Sequence, residues 1–359
     1  MEDLVPLPPH IAAAFRSQEQ SCRTLGSLFT AAICGLVADH GVPAGPVHDR
    51  LSGWTGKIDS AGDALPLRLT GALHNLVLSG RDSALTDVYP PNPADEGAFA
   101  DAIAGAMVRH GDAVDRFLDN APQTNETARS AVLLPAFLHL GEKFGLPLVL
   151  SELGSSAGLN QNWPLYRYEY GAWGWGDLSS PVTLACEWYG DKPPAPRSVR
   201  VARGAGCDIA PISIDDAAQR LRLKSYIWPD QPSRLVRLSG ALAIADEHPP
   251  TVEKASAADW LERRLDDRLP GQLHVVFHTI MWQYIPAEEQ GRAQSIIERA
   301  GRKATADAPL AWLRFETDGG SDGAPIVLTT WEGKSPEGET VTLGRGDFHG
   351  RWLRWQPPA

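Results

Sequence analysis

Long apolar runs are absent from this 359-residue chain. No stretch approaches the roughly 20 consecutive apolar residues that cross a bilayer, so no membrane-spanning helix and no membrane partner are expected. Cysteine is scarce. The four present (Cys22, Cys34, Cys186 and Cys207) form no C-x-x-C pair and no metal-ligand spacing, so reduced structural thiols and no metal centre are expected. Basic residues are outnumbered, 33 Lys and Arg against 44 Asp and Glu, giving a formal net charge of −11. A partner held mainly by phosphate contacts needs clustered Lys and Arg, so nucleic acid is not an expected ligand. The opening Met-Glu-Asp-Leu-Val-Pro lacks the basic start and apolar centre of a signal peptide, which points to the cytoplasm. There is no internal repeat and no low-complexity tract. Homo-oligomerisation is left open.

What is present changes character near residue 145. Of twelve tryptophans only Trp54 precedes residue 160. Segments around 10–40, 66–80, 96–119 and 124–144 carry apolar residues at helical spacing, as in Phe15, Leu25, Leu28, Phe29 and Ile33. Gly41-Val-Pro43, Tyr89-Pro-Pro-Asn-Pro93 and Ala121-Pro122 separate them. Residues 1–145 therefore read as an all-α N-terminal domain, a bundle or cap.

After residue 146, apolar strand candidates (147–152, 182–188, 198–203, 273–279, 310–316, 325–331, 340–343 and, more weakly, 351–355) alternate with helical stretches at 212–223, 233–246, 256–268 and 286–301. That alternation predicts an α/β domain over 146–359 with a mostly parallel sheet covered on both faces. The link Glu332-Gly-Lys-Ser-Pro-Glu-Gly338 is too short for a parallel crossover, so the C-terminal strands form an antiparallel hairpin. A parallel sheet closed this way is the Rossmann-like layout of class I methyltransferases.

The most informative segment is residues 146–160. The apolar strand Leu146–Leu150 leads to Glu152, then to the small residues Gly154, Ser155, Ser156, Ala157 and Gly158. Such a turn lets backbone N–H groups approach a ligand closely, and Glu152 accepts from a cation or a ribose. The same residues spell G-x-S-x-G, the nucleophile elbow of α/β hydrolases. In that reading Ser156 is the nucleophile, with Asp318 or Asp322 and then His349, although mostly helical sequence precedes the elbow.

In the methyltransferase layout three later positions carry ligand contacts. Asp208 ends a second strand and holds ribose hydroxyls. Asp259 follows a third strand and takes the adenine amino group, with Trp260 packing on the ring. His278 and Tyr284 lie at and after a fourth strand and are the catalytic candidates, His278 because its ordinary pKa suits proton removal. Each has a plain structural alternative: Asp208 and Asp259 as helix caps, His278 as a hydrogen-bonded core histidine. Gln123, Asn125, Glu126, Asn160, Tyr166 and Trp282 are the candidates for substrate contact, and Tyr166, Tyr168 and Tyr170 suit a wall for an apolar or planar molecule.

Pro122-Gln-Thr-Asn-Glu126, Leu153-Gly-Ser-Ser-Ala-Gly-Leu-Asn160, Trp228-Pro-Asp-Gln231, Trp282-Gln-Tyr284 and His349-Gly350-Arg-Trp352 together resemble the bacterial domain of unknown function 2332 family over nearly the whole chain. The resemblance implies a methyltransferase-type Rossmann core behind a helical N-terminal region, with S-adenosylmethionine as cofactor and no assigned substrate. Two departures stand out. The usual E-x-G-x-G-x-G appears here with Ser156 at its middle position. The gap from Glu152 to Asp208 is more than twice the roughly 20 residues usual between these sites, so residues 161–197 are expected to be an insertion. The expected activity is methyl transfer to a small molecule; a non-catalytic binding protein on the same scaffold is the alternative.

Overall fold

The computed structural model describes residues 4–59, 62–92, 94–195, 199–266 and 268–357. Position 198 of the expected strand 198–203, and positions 196 and 197 of the expected insertion, lie outside the described residues. Two compact units emerge, one made of Met1–Thr124 with Asp215–Val236, the other of Asn125–Ile214 with Arg237–Ala359.

Among the described residues the first unit is helical apart from the short antiparallel pair of β1 (Leu4–Val5) and β2 (Val42–Pro43). The helical period over 10–40 resolves into two helices, Pro9–Thr24 and Leu28–His40. Gly26 at φ +85° ends the first, and the Ser27 side chain caps the second by accepting from Thr30 N. The 96–119 segment likewise divides at His110 into Glu96–Arg109 and Gly111–Leu118. Their apolar stripes, with those of Pro46–Ser52 and Leu65–Leu78, bury Phe15, Ile33, Leu51, Leu69, Leu73 and Ile103 in one core.

The second unit is built on β3 (Leu148–Leu153), β4 (Arg167–Glu169), β5 (Gly174–Trp175), β6 (Thr183–Ala185), β7 (Glu187–Gly190), β8 (Val201–Asp208), β9 (Val252–Lys254), β10 (Leu273–Thr279), β11 (Leu310–Phe315), β12 (Ala324–Trp331), β13 (Glu339–Gly346) and β14 (Trp352–Trp355). Nine of these form one sheet in the order β7-β14-β13-β12-β11-β10-β3-β8-β9, while β5-β4-β6 form a small separate sheet. The apolar runs of β3 and β10 are buried along their whole length, as a central strand covered on both faces requires.

The sheet is mixed, which corrects the mostly parallel sheet expected from sequence. Five pairings are parallel (β9-β8, β8-β3, β3-β10, β10-β11 and β14-β7) and three are antiparallel (β11-β12, β12-β13 and β13-β14). The cause lies in the links after β11. Residues 316–323, 332–338 and 347–351 are each far too short for a crossover, so the chain folds back three times. The expected strand 182–188 divides at Cys186, because Cys186 N bonds Glu169 O in the small sheet while Glu187 N bonds Arg351 O beside the large one. The chain changes sheets within one residue. Among the described residues no helix is long and apolar enough to cross a membrane.

Candidate functional site

Strand order reverses direction between β3 and β10: the chain steps from β3 outward to β8 and β9 on one side, and from β10 to β11 on the other. In open α/β sheets such a switch point leaves a crevice outside the carboxyl ends of the two strands, where ligands bind. Glu152 pairs with Phe277 and Leu153 with Cys207, so the 154–158 turn, Asp208 and the 278–282 segment leave the sheet together.

Each strand end is held in a backbone conformation that side chains rarely adopt. After β3, Gly154 has φ +64° and Ser156 φ +54°; after β10, Ile280 has φ +48°. A β-branched residue at positive φ is a strong outlier, and such strain persists only where surrounding contacts impose it. Those contacts are visible. Asp208 Oδ2 accepts from Ser156 N at 2.9 Å and Oδ1 accepts from Ala210 N at 2.9 Å. Ser155 N and Oγ both donate to Cys207 O. Asn125 Oδ1 accepts from Leu159 N at 2.9 Å, fixing the residue after Gly158. At the end of β10, Glu316 accepts from Met281 N at 3.0 Å, from Trp282 N at 3.1 Å and pairs with His278 Nδ1 at 2.7 Å. Arg129 donates to Thr279 O at 3.3 Å. The segment Asn125–Arg129 thus touches the turns after both strands.

The two turns meet. A Cβ at Gly154 would lie 2.7 Å from Met281 Cε, so the absence of a side chain there is what admits Met281. Glu152, 3% exposed, receives side-chain hydrogen bonds from Asn160 and Gln161, yet its Oε2 has no hydrogen-bond partner. Burial, reinforced by the Asp208 charge and opposed by the Asn160 bond, pushes the Glu152 carboxyl up to about 8. It is therefore protonated at neutral pH. A buried carboxyl so shifted, beside an unpartnered oxygen at a switch point, makes this turn the candidate site.

The remaining candidates are distributed as follows. Asn160 joins Glu152 and accepts from Ser130 Oγ at 3.1 Å. Tyr166 is fully buried and donates to Leu159 O, and its ring lies close enough for the Glu152 charge to act on it. Glu126 is buried, accepting from Arg237 at 3.1 Å and from Ala128 N. Trp282 stacks on His278 at 4.7 Å and 19°. His278 has both ring nitrogens engaged, since Trp312 Nε1, a donor only, bonds its Nε2 at 3.0 Å. That fixes the Nδ1–H tautomer, with Glu316 as acceptor, and leaves no lone pair for proton removal. Tyr284 is 56% exposed on a short 3-10 turn. Asp259 stands in an exposed ion pair with Arg292 at 2.8 Å, while Trp260 is buried in a core cluster with Leu153 and Val276. Gln123 belongs to the first unit. Ser156 Oγ has no hydrogen-bond partner, imidazole included, and Asp318 is paired with Arg345.

Sequence reasoning missed Gln161, Met281, Trp312 and Glu316. Glu316 had a readable signal: it is an acid directly after an apolar strand, the same position that singled out Glu152. Met281 had none, because its importance lies in packing against a glycine in the turn after another strand.

These features define a mixed α/β protein whose main sheet reverses its strand order beside a buried acidic turn. The profile of the DUF2332 family, uncharacterized proteins conserved in bacteria, matches residues 12–355, and the chain belongs to that family. No curated protein and no solved structure matches it.

Proposed function

We propose that this chain is an S-adenosylmethionine-dependent methyltransferase acting on a small molecule, with its cofactor at the β3/β10 switch point. The observation that carries the reading is the unpartnered, buried Oε2 of Glu152 at the carboxyl end of β3, one strand from an acid, Asp208, that ends β8. The order β9-β8-β3-β10-β11 matches the 3-2-1-4-5 order of nucleotide-binding Rossmann sheets, which supports the same reading. The antiparallel β12 directly after β11 departs from that fold, whose sheet continues with parallel strands.

The residues fit the group. Glu152 and the N–H groups of the 154–158 turn would hold its amino-acid end, and Asp208 its ribose. Bound there, S-adenosylmethionine supplies an electrophilic methyl on a sulfonium. Catalysis then rests on positioning and on exclusion of water, because His278 has no nitrogen to spare. Asn125, Glu126 and Asn160, beside the turn, are the residues to orient an acceptor, and Glu316 fixes the loop that carries Trp282.

A second reading, a binding protein without chemistry, is favoured by one observation: Met281 packs on Gly154, where a cofactor's amino-acid end would approach. Isothermal titration of S-adenosylhomocysteine into the wild type, Glu152→Gln and Asp208→Asn tests the proposal. Saturable binding is expected, weakened at least about tenfold by each substitution, since each removes a charge-assisted contact of roughly 1.5–3 kcal/mol. No heat at about 0.5 mM ligand, a weak-binding limit, would reject the methyltransferase reading. Binding without turnover on any acceptor would favour the second.

A further inference from the structure

The second unit carries another concave site, and it shares no residue with the switch point. Residues of the small β5-β4-β6 sheet, of β7 and of the link after β7 line a cleft of about 1230 Å3. That exceeds the roughly 300–1,000 Å3 of ordinary small-molecule pockets and suits a ligand of several linked rings. A neighbouring cleft of about 520 Å3 shares Trp173, Gly174, Lys192 and Pro193 with it and extends the wall to Trp355.

The walls are aromatic. Tyr170 and Trp173 stack at 4.3 Å and 14°, and Trp188 stands edge-on to both, at 5.5 and 5.1 Å. Tyr170 is buried, so it backs Trp173, while Trp173 and Trp188 are half-buried and Tyr189 is 50% exposed. Between the rings stand both signs of charge in equal number: Arg167, Lys192 and Arg351 against Glu169, Glu187 and Asp191. Two donors on the lining, Trp173 Nε1 and Arg167 Nε, are sealed from bulk water and make no hydrogen bond. Arg167 Nε comes no nearer to Glu169 Oε1 than 3.7 Å.

This combination selects among ligand classes. A phosphorylated ligand calls for an excess of cations, and here each cation is matched by an acid. An acyl chain would take guanidinium and carboxylate groups out of water while offering them no hydrogen bond in return, which is unfavourable. A neutral sugar chain satisfies both demands. Its rings present apolar C–H faces to indole and phenol rings, and its hydroxyls donate to carboxylates while accepting from guanidinium and indole N–H groups.

We propose that this cleft is a saccharide site: it takes a neutral oligosaccharide whose ring faces lie on Trp173 and Trp188 and whose hydroxyls bond Glu169, Glu187 and the Arg167 guanidinium. The site is independent of the switch-point reading, so the outcome with S-adenosylhomocysteine does not bear on it.

Tryptophan fluorescence and titration calorimetry on the full chain, with cellohexaose, maltohexaose and fully N-acetylated chitohexaose as probes, test the proposal. At least one probe is expected to bind saturably, with a shift in indole emission and a Kd below about 1 mM. Trp173→Ala should weaken that binding by about tenfold or more, and Glu187→Gln by about threefold or more. Glu187 is exposed at the sheet edge, so E187Q keeps the test sound even if W173A does not fold. The proposal is overturned if no probe binds the wild type at about 5 mM, or if binding survives E187Q and every folded Trp173 variant unchanged.

Discussion

Replacing Glu152 by glutamine should make the chain more stable, by a margin that opens above about pH 4.5 and is full near pH 8. The carboxyl is buried to 3% exposure, and burial raises it from an ordinary 4.5 to about 8. Below about pH 4.5 the carboxyl is protonated in both the folded and the unfolded chain, and its titration contributes nothing. Between about 4.5 and 8 the unfolded chain gives up the proton while the folded chain keeps it, so folding stability falls with rising pH. The slope reaches about 1.4 kcal/mol per pH unit, and the full interval gives an upper bound of about 5 kcal/mol, levelling off above pH 8. Glutamine is the neutral near-isostere of the protonated acid and has no proton to lose. Guanidinium unfolding at pH 5, 6.5 and 8 measures the difference. At pH 5 the two chains should agree within about 1 kcal/mol, the net worth of one altered hydrogen bond. By pH 8 the E152Q chain should lead by about 3–5 kcal/mol. A difference that stays flat across this range would show that Glu152 is ionised in the fold, and the description of the site as a sealed acidic turn would be refuted.

His274 gives the opposite pH dependence. Burial, aided by the charges of Arg264, Arg268 and Arg203, lowers its imidazole to about 3, and Ser151 Oγ bonds its Nε2 at 2.8 Å. Stability should therefore fall as pH drops from about 6.5 toward 3, by up to about 1.4 kcal/mol per unit, and His274→Gln should flatten that acid limb in urea titrations. Gly154→Ala combines a side chain at φ +64° with contact on Met281 and should destabilise by about 2–3 kcal/mol; in a Met281→Ala background about 1 kcal/mol of that should return, and absence of coupling would contradict the contact. Glu316→Gln weakens the anchor of two backbone N–H groups and His278, so amide exchange at Met281 and Trp282 should accelerate by about tenfold or more, one lost charge-assisted bond. Under the proposed function, an ammonium group docking on Glu152 displaces its proton. Titrations at pH 7 in two buffers of different ionisation enthalpy should then report release of up to one proton per S-adenosylhomocysteine.

Periodicity made the central strands legible. The runs 147–152, 273–279, 310–316 and 325–331 fall on β3, β10, β11 and β12 within a residue, because strands buried on both faces must be continuously apolar. The expected strand 198–203 misplaces β8, which runs on through Gly204-Ala205-Gly206-Cys207. Asp208 was expected to end that strand and does, while Gly206 is there because a Cβ would lie 2.2 Å from Ser155 Oγ. Close packing of one strand end on its neighbour has no local signature. In the small sheet β6 falls within the expected strand 182–188, but β4 and β5 were illegible: strands of two or three residues carry too few alternations to register. For the site, the acids at strand ends were readable at Glu152 and Asp208 because their position follows from the strand pattern. The engagement of His278 by Trp312 and Glu316 was not, since these partners come from a strand 34 residues or more away and depend on register alone.

The most direct test is hydrogen–deuterium exchange of the full chain with and without S-adenosylhomocysteine, read on peptides covering residues 153–159 and 279–283. A ligand seated at the switch point should slow exchange in both peptides at once, since the two turns are packed on each other through Gly154 and Met281. Slowed exchange confined to other segments, or none in either peptide under saturating ligand, would contradict the placement of the site.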